Sequence, residues 1–229
     1  MPRKLKLASR VVARLGLGLL MATAPSLAVV AQTVIDKPIE EQFGTVLYKN
    51  RWPSPQINVC LENPEAVSAR NLLLMRKALA ESWERYSKVS FTDWGRCATP
   101  RQPGLHVLFG PGRPRTLAIG VKLNSRPGGM VLNFDFATWR PACASPEERD
   151  VCVAAVTVHE FGHALGFTHE QLGPYQQPEC ADEPEDIVGD YLLTKPDLTS
   201  IMSYCNPQWN GDGNLSQLDR QAIATFYGA

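Results

Sequence analysis

Residues 159–170 read His-Glu-Phe-Gly-His-Ala-Leu-Gly-Phe-Thr-His-Glu. His159 and His163 are four apart. On a helix they sit about 40° apart around the axis and ~6 Å apart along it, so both imidazoles face one side and can grip one zinc ion. Glu160 neighbours the first ligand and is poorly placed to be another. It is placed to take a proton from a metal-activated water. His169 lies ten residues after His159, ~15 Å further along a continuous helix. It reaches the same ion only if the helix stops and the chain folds back. Gly166 stands where that stop is needed, because glycine accepts the left-handed conformation of a helix C-terminus at little cost. Three nitrogens leave one position open for water, the catalytic rather than the structural arrangement of zinc.

The elements that must position these groups follow from the flanking pattern. Val151, Val153, Ala154, Val156 and Val158 lead into the histidines, so a helix is expected over 151–166 with its first turns buried. Further on, Ser200-Ile201-Met202-Ser203-Tyr204 brings a methionine and a tyrosine into a short turn.

The motif His159-Glu160-x-x-His163-x-x-Gly166-x-x-His169, followed by that turn, resembles the metzincin clan of zinc endopeptidases. Glu170 after the third histidine, and Tyr204 two places after Met202, resemble the astacin-like group. Arg51-Trp52-Pro53 and Pro127-Gly128-Gly129-Met130 are weaker landmarks of the same likeness, which spans roughly residues 50 to 228. The resemblance implies an α+β fold. A twisted mixed β-sheet and two long helices form an upper, N-terminal lobe (51–166), and an irregular lower lobe (167–229) ends in a helix. It implies that Met202 floors the metal without binding it, and that Tyr204 stabilises the transition state. It also implies one zinc ion per chain. In the family the mature amino terminus is buried against the residue corresponding to Glu170. The chain departs from the family after His169, where Gln171-Leu172-Gly173-Pro174-Tyr175 replaces a basic, aspartate-rich stretch. Asp36 is the only aspartate between the signal and Trp52, and Phe43-Gly44-Thr45 lacks the family's zinc-capping aspartate, so latency by that device is not expected.

The first 31 residues read as a secretory signal. Arg3, Lys4, Lys6, Arg10 and Arg14 precede an apolar stretch from Leu15 to Val30, and Val29-Val30-Ala31 suits cleavage before Gln32. Thr23, Pro25 and Ser26 interrupt the stretch, which argues against an uncleaved anchor. Residues 32–50 then form a leader and 51–229 the protease-like domain. Five of the 23 basic residues fall in the signal, leaving 18 against 23 acidic ones and a formal charge of −5. Such a chain is a poor nucleic-acid binder. A monomer, secreted or periplasmic, without stable membrane insertion after signal cleavage, is expected.

All six cysteines follow the signal, which suits three disulfides. Sequence does not choose among the possible pairings. Proximity suggests Cys143 with Cys152 and Cys180 with Cys205, leaving Cys60 with Cys97. No Cys-x-x-Cys pair supports a cysteine zinc site.

Elsewhere, short strands are expected at 45–48, 57–60, 89–92, 105–109 and 117–123. A helix is expected to open at Asn63-Pro64 and run to about residue 87, with Leu72, Met75, Leu79, Trp83 and Tyr86 as its packing stripe. Residues 130–136 alternate, with Met130, Leu132, Phe134 and Phe136 on one side. In the related family this strand edges the cleft and pairs with an extended protein or peptide substrate, through backbone bonds that carry no sequence information. Residues 171–199 are proline-rich and acidic. They read as a solvated loop, with two other readings open: lining the cleft for basic substrates, or binding calcium, for which the sequence offers no support. Asn210–Asn214 makes a turn. Ser216 with Asp219 forms an acidic variant of a capping box, and Leu218, Ala222 and Phe226 give the last helix its packing face. His106 falls in a strand pattern and reads as structural. The function this supports is a secreted zinc endopeptidase using a Glu160-activated water. A zinc-stapled binding module and a zinc hydrolase of non-protein amide bonds are the alternatives.

Overall fold

The computed structural model describes residues 44–170, 191–195 and 197–229. Residues 1–31, read above as a signal, residues 32–43 of the expected leader, Cys180 and most of the acidic 171–199 stretch lie outside the described residues.

Five strands form the main sheet: β2 (Gln56–Leu61), β3 (Ser90–Arg96), β4 (Leu105–Phe109), β5 (Arg115–Thr116) and β6 (Met130–Leu132). Their spatial order is β3-β2-β4-β6-β5. All neighbours run parallel except β5, which lies antiparallel to β6 at one edge. The register shifts at Val59/Cys60, opposite Asp93 and Trp94, which both take positive φ. Interior parallel strands have both faces covered. That explains Val131 and Asn133, which the alternating pattern would expose and which are buried here beside Met130 and Leu132.

Among the described residues three α-helices complete the frame: α1 (Ala69–Glu81), α2 (Pro146–Leu165) and α3 (Gln217–Tyr227). The first is capped by Ser68, whose Oγ accepts from Asn71 N–H, and not by Asn63. Asn63 instead pairs with β4, exchanging two side-chain bonds with the Phe109 backbone at 2.7 and 2.9 Å. The helix also ends earlier than its stripe suggested, because Ser82 turns the chain. Met75, Leu79 and Trp83 still reach the core, Trp83 from the turn beyond. There its indole donates to Val158 O and stacks on Phe167. Phe161 packs edge-on against Phe91 of β3, so α2 is wedged between the sheet and the chain following α1.

Two strand expectations fail. Residues 117–123 hold no strand: β5 covers only Arg115–Thr116, and Gly120–Leu123 is a 3-10 turn. Gly120 has φ +61°, and a side chain there would collide with the Asn50 carbonyl. The 130–136 strand stops at Leu132, and it lies between β4 and β5 rather than at the rim. The alternation marks a strand only over Met130–Leu132, and the edge position belongs to β5, whose single turn-flanked pair of residues carries no periodic signal.

A second, two-stranded sheet joins β1 (Gly44–Val46) to β7 (Tyr191–Leu193). Residues 44–50, which the sequence assigns to the leader, therefore pack with the domain. Cys60–Cys97 and Cys143–Cys152 are bridged, and Cys205 is also disulfide-bonded. No helix among the described residues is long and apolar enough to cross a membrane.

Candidate metal centre

The helix carrying the motif starts five residues before its apolar run. Ser145 caps it, its Oγ accepting from Glu148 N–H at 3.3 Å, with Pro146 at the first position and Glu147 and Glu148 in the first turn. These residues satisfy free N–H groups and complement the positive end of the helix dipole. Twenty residues later α2 ends at Gly166, with φ +111°.

A helix C-terminus leaves four carbonyls without helical partners. Here each is satisfied. Gly162 O accepts from Phe167 N–H at 3.0 Å and His163 O from Gly166 N–H at 3.1 Å. Ala164 O accepts from the Trp52 indole at 2.7 Å, and Leu165 O from the Tyr227 hydroxyl at 2.8 Å. The Gly166 carbonyl accepts from Leu47 N–H at 2.9 Å. The helix end is thus stitched to the start of the domain and to α3. Arg51 reinforces the seam, donating to Phe226 O and lying over the Tyr227 ring. Burial raises the Tyr227 pKa from 10.0 to about 12, against the smaller lowering pull of the Trp52 N–H and the Arg51 charge.

The fold-back brings the three histidines together. His159 Nε2 and His163 Nε2 lie 3.2 and 3.0 Å from His169 Nε2. All three rings are buried. His159 Nδ1 meets Ile201 O at 2.8 Å, and His163 Nδ1 meets Phe167 O at 2.9 Å. A carbonyl only accepts, so each of these Nδ1 atoms carries the proton and each Nε2 turns a lone pair toward His169. The His169 Nε2 completes a group of three converging ring nitrogens. A cation at the centre satisfies all three. Zinc-bound nitrogens ~2.0–2.1 Å from the metal in tetrahedral array would stand about 3.3 Å apart, close to the separations found. The donor set therefore fits zinc. The imidazole-to-carbonyl bonds are the outer partners that fix tautomer and ring orientation in such sites.

Glu160 is buried on the same helical turn. Met202 is fully buried beneath that turn. A Cβ on Gly162 would overlap the Met202 sulfur and press on Trp83. Glycine costs a helix interior about 1 kcal/mol relative to alanine, and close packing of the methionine is its reason here. Tyr204 is the exposed member, at 45%. Its ring centroid lies 4.1 Å from His169 and 5.6 Å from His159. Glu170 is buried; its N–H donates to Met202 O at 3.1 Å, and its carboxylate accepts from Asp197 N–H at 3.4 Å.

Gly162, Ser145 and the contacts of Ser200 and Asp219 join the site beyond the motif residues. Glycine inside an apolar helix and Ser-Pro-Glu-Glu at a helix start were visible signals; the Ser200 and Asp219 contacts were not. One further group of candidate ligands, Cys60, Cys97 and His106, gathers among the described residues. Its sulfurs are joined in a disulfide, and His106 is packed between Gln102 O and Glu62, as a structural histidine.

No protein-family model matches the chain, and no curated protein matches it in sequence. Among solved structures it is similar to myroilysin, at TM-score 0.55 and 21% identity over 81% of this chain and 99% of that one. A crystal structure of myroilysin gives TM-score 0.51 and 20% identity, covering 79% and 86%. High choriolytic enzyme 1, a hatching-enzyme zinc protease from the medaka fish Oryzias latipes, gives TM-score 0.55 and 16% identity, covering 82% and 100%. At these identities the likeness shows a shared fold, the two-lobed α+β architecture that the family resemblance implies.

Proposed function

We propose that this chain is an exported zinc-dependent endopeptidase of the astacin-like kind, made with a signal over residues 1–31. The observation that carries the reading is the convergence of three Nε2 atoms whose partner nitrogens, at His159 and His163, are held by main-chain carbonyls. The fold shared with a zinc protease supports it.

His159, His163 and His169 hold the metal. Bound zinc supplies Lewis acidity toward a scissile carbonyl and toward a water. Glu160 takes the proton of the attacking water on its carboxylate and passes it to the leaving amine nitrogen. Tyr204, over the His169 ring, donates a hydrogen bond to the developing oxyanion. The buried Met202 keeps the floor dry and apolar. An extended peptide adding to the sheet meets β5 rather than β6, since among the described residues no strand pairs with the outer side of β5.

Glu160→Gln separates this reading from a zinc-stapled binding module. The variant should bind zinc as the wild type does and lose cleavage of an unfolded protein substrate by on the order of 10²–10⁴-fold. A chelator should abolish wild-type cleavage, and added zinc should restore it. Unchanged turnover in Glu160→Gln would remove the glutamate from its role. A wild-type protein that is inert on polypeptides yet cleaves cell-wall peptide bonds would redirect the substrate class.

A further inference from the structure

The Asp219 carboxylate is buried in the last helix, remote in sequence from every proposed ligand. Part of its work is local. Its Oδ2 accepts from Ser216 N–H at 2.9 Å while Ser216 Oγ accepts from Asp219 N–H at 3.0 Å, which closes the capping box of α3. The same carboxylate also reaches the turn around Met202. Oδ2 accepts from Ile201 N–H at 3.0 Å, and Oδ1 accepts from the Ser200 hydroxyl at 2.7 Å. A capping box needs neither of these two bonds.

The hydrogen bonds continue beyond Ser200. Its Oγ, having donated its proton to Asp219, accepts from Met202 N–H at 3.0 Å. That N–H belongs to the peptide group whose carbonyl is Ile201 O, and Ile201 O accepts from His159 Nδ1 at 2.8 Å. Asp219, Ser200, Ile201 and Met202 are each at most 4% exposed, so solvent does not compete along the path. Each link points the same way: carboxylate, hydroxyl, amide, imidazole. Hydrogen bonds in such a chain polarise one another in a low-dielectric interior.

We propose that Asp219 is a positioning residue for the metal centre, acting through Ser200 and the Ile201–Met202 peptide to orient His159 and raise its basicity toward zinc. This deepens the zinc reading above and rests on it. It extends the carboxylate–histidine–metal arrangement, in which an acid bonds the ligand directly, by a hydroxyl and one peptide group. It also ties the metal to the packing of α3, because one carboxylate serves both.

Three variants of the full chain test the assignment, each read by zinc Kd in competition with a chromophoric chelator and by the d–d absorption of the cobalt(II) form. Asp219→Asn should weaken zinc binding by roughly 10–100-fold and shift the cobalt bands, because one amide arm turns donors toward donors. Ser200→Ala, which keeps the carboxylate and its backbone bonds, should shift both readouts in the same direction. Ser216→Ala removes only the cap side of the network; it should lower the thermal midpoint and leave zinc affinity and the cobalt spectrum at wild-type values. A folded Asp219→Asn protein with wild-type zinc affinity and cobalt spectrum would overturn the proposal and leave the zinc reading standing. Should Asp219→Asn fail to fold, an unchanged Ser200→Ala protein would overturn it equally. A wild-type chain that takes up no zinc would overturn the zinc reading itself, and this proposal with it.

Discussion

His159 and His163 are held by a helix; His169 and the turn around Met202 are held by the rest of the chain. The first pair owes its spacing to α2, which is capped by its own neighbours Ser145, Pro146 and Glu147 and buried by its own apolar residues. The second region has little regular backbone. It is fixed by Trp52 and Tyr227 on the last carbonyls of α2, by Leu47 on Gly166, and by Asp219 on the turn. The proposed metal site is thus half local and half global. Damage to the local half should register as lost stability, and damage to the global half should register at the metal as well.

Gly162→Ala should show the largest effect, because it strikes where the halves touch. Alanine would ordinarily stabilise a helix interior by about 1 kcal/mol. Here overlap with Met202 and Trp83 should reverse the sign, costing roughly 1–3 kcal/mol in denaturant unfolding, with weaker zinc binding. A more stable variant with intact zinc affinity would show that Met202 is free to move aside.

Tyr227→Phe comes next. It leaves Leu165 O and Trp52 N–H without their partner, a loss of about 1–3 kcal/mol, and loosens the turn before His169. It also carries a pH signature. The folded-state pKa is raised by burial to about 12, so the folded protein holds this proton more tightly than the unfolded one. The stability involved is fully present below about pH 10 and is lost as pH rises through the folded value. Wild-type melting temperature should therefore fall between pH 10 and 12 more steeply than that of Tyr227→Phe. Parallel curves would show that the phenol contributes no such linkage.

Ser145→Ala should be the mildest. Loss of the cap costs about 1 kcal/mol, seen in the thermal midpoint, while zinc affinity and turnover stay at wild-type values. A change at the metal would mean that the two halves are less separable than their contacts indicate.

Legibility followed the same division. The zinc helix, its glycine stop, the capping box at Ser216 and Asp219 and the strands near 57–60 and 105–109 could be read from residue types a few positions apart. Cys143–Cys152 follows from proximity, whereas Cys60–Cys97, 37 residues apart, is legible only as the pair left over. The early end of α1 is hidden in sequence because Leu79 and Trp83 continue the apolar spacing across Ser82, and both remain buried although the helix does not continue. The Asn63 side chain suits a helix cap; its pairing with Phe109, 46 residues away, is invisible in sequence. The edge strand is illegible in sequence because β5 has two residues and no period, whereas β6 alternates clearly while lying inside the sheet.

What the sequence determined alone is the chemistry on offer: three imidazoles, a carboxylate beside the first, a glycine that must end the helix, and a tyrosine after a methionine. Those follow from spacing, since a helix fixes neighbours four apart and glycine alone turns cheaply to positive φ. Only the tertiary structure decided that the imidazoles converge with their outer nitrogens on Ile201 and Phe167 carbonyls, that β5 forms the edge, and that Asp219 reaches back to the turn around Met202. Those contacts join segments tens of residues apart, and their geometry exists only once the core has brought the segments together.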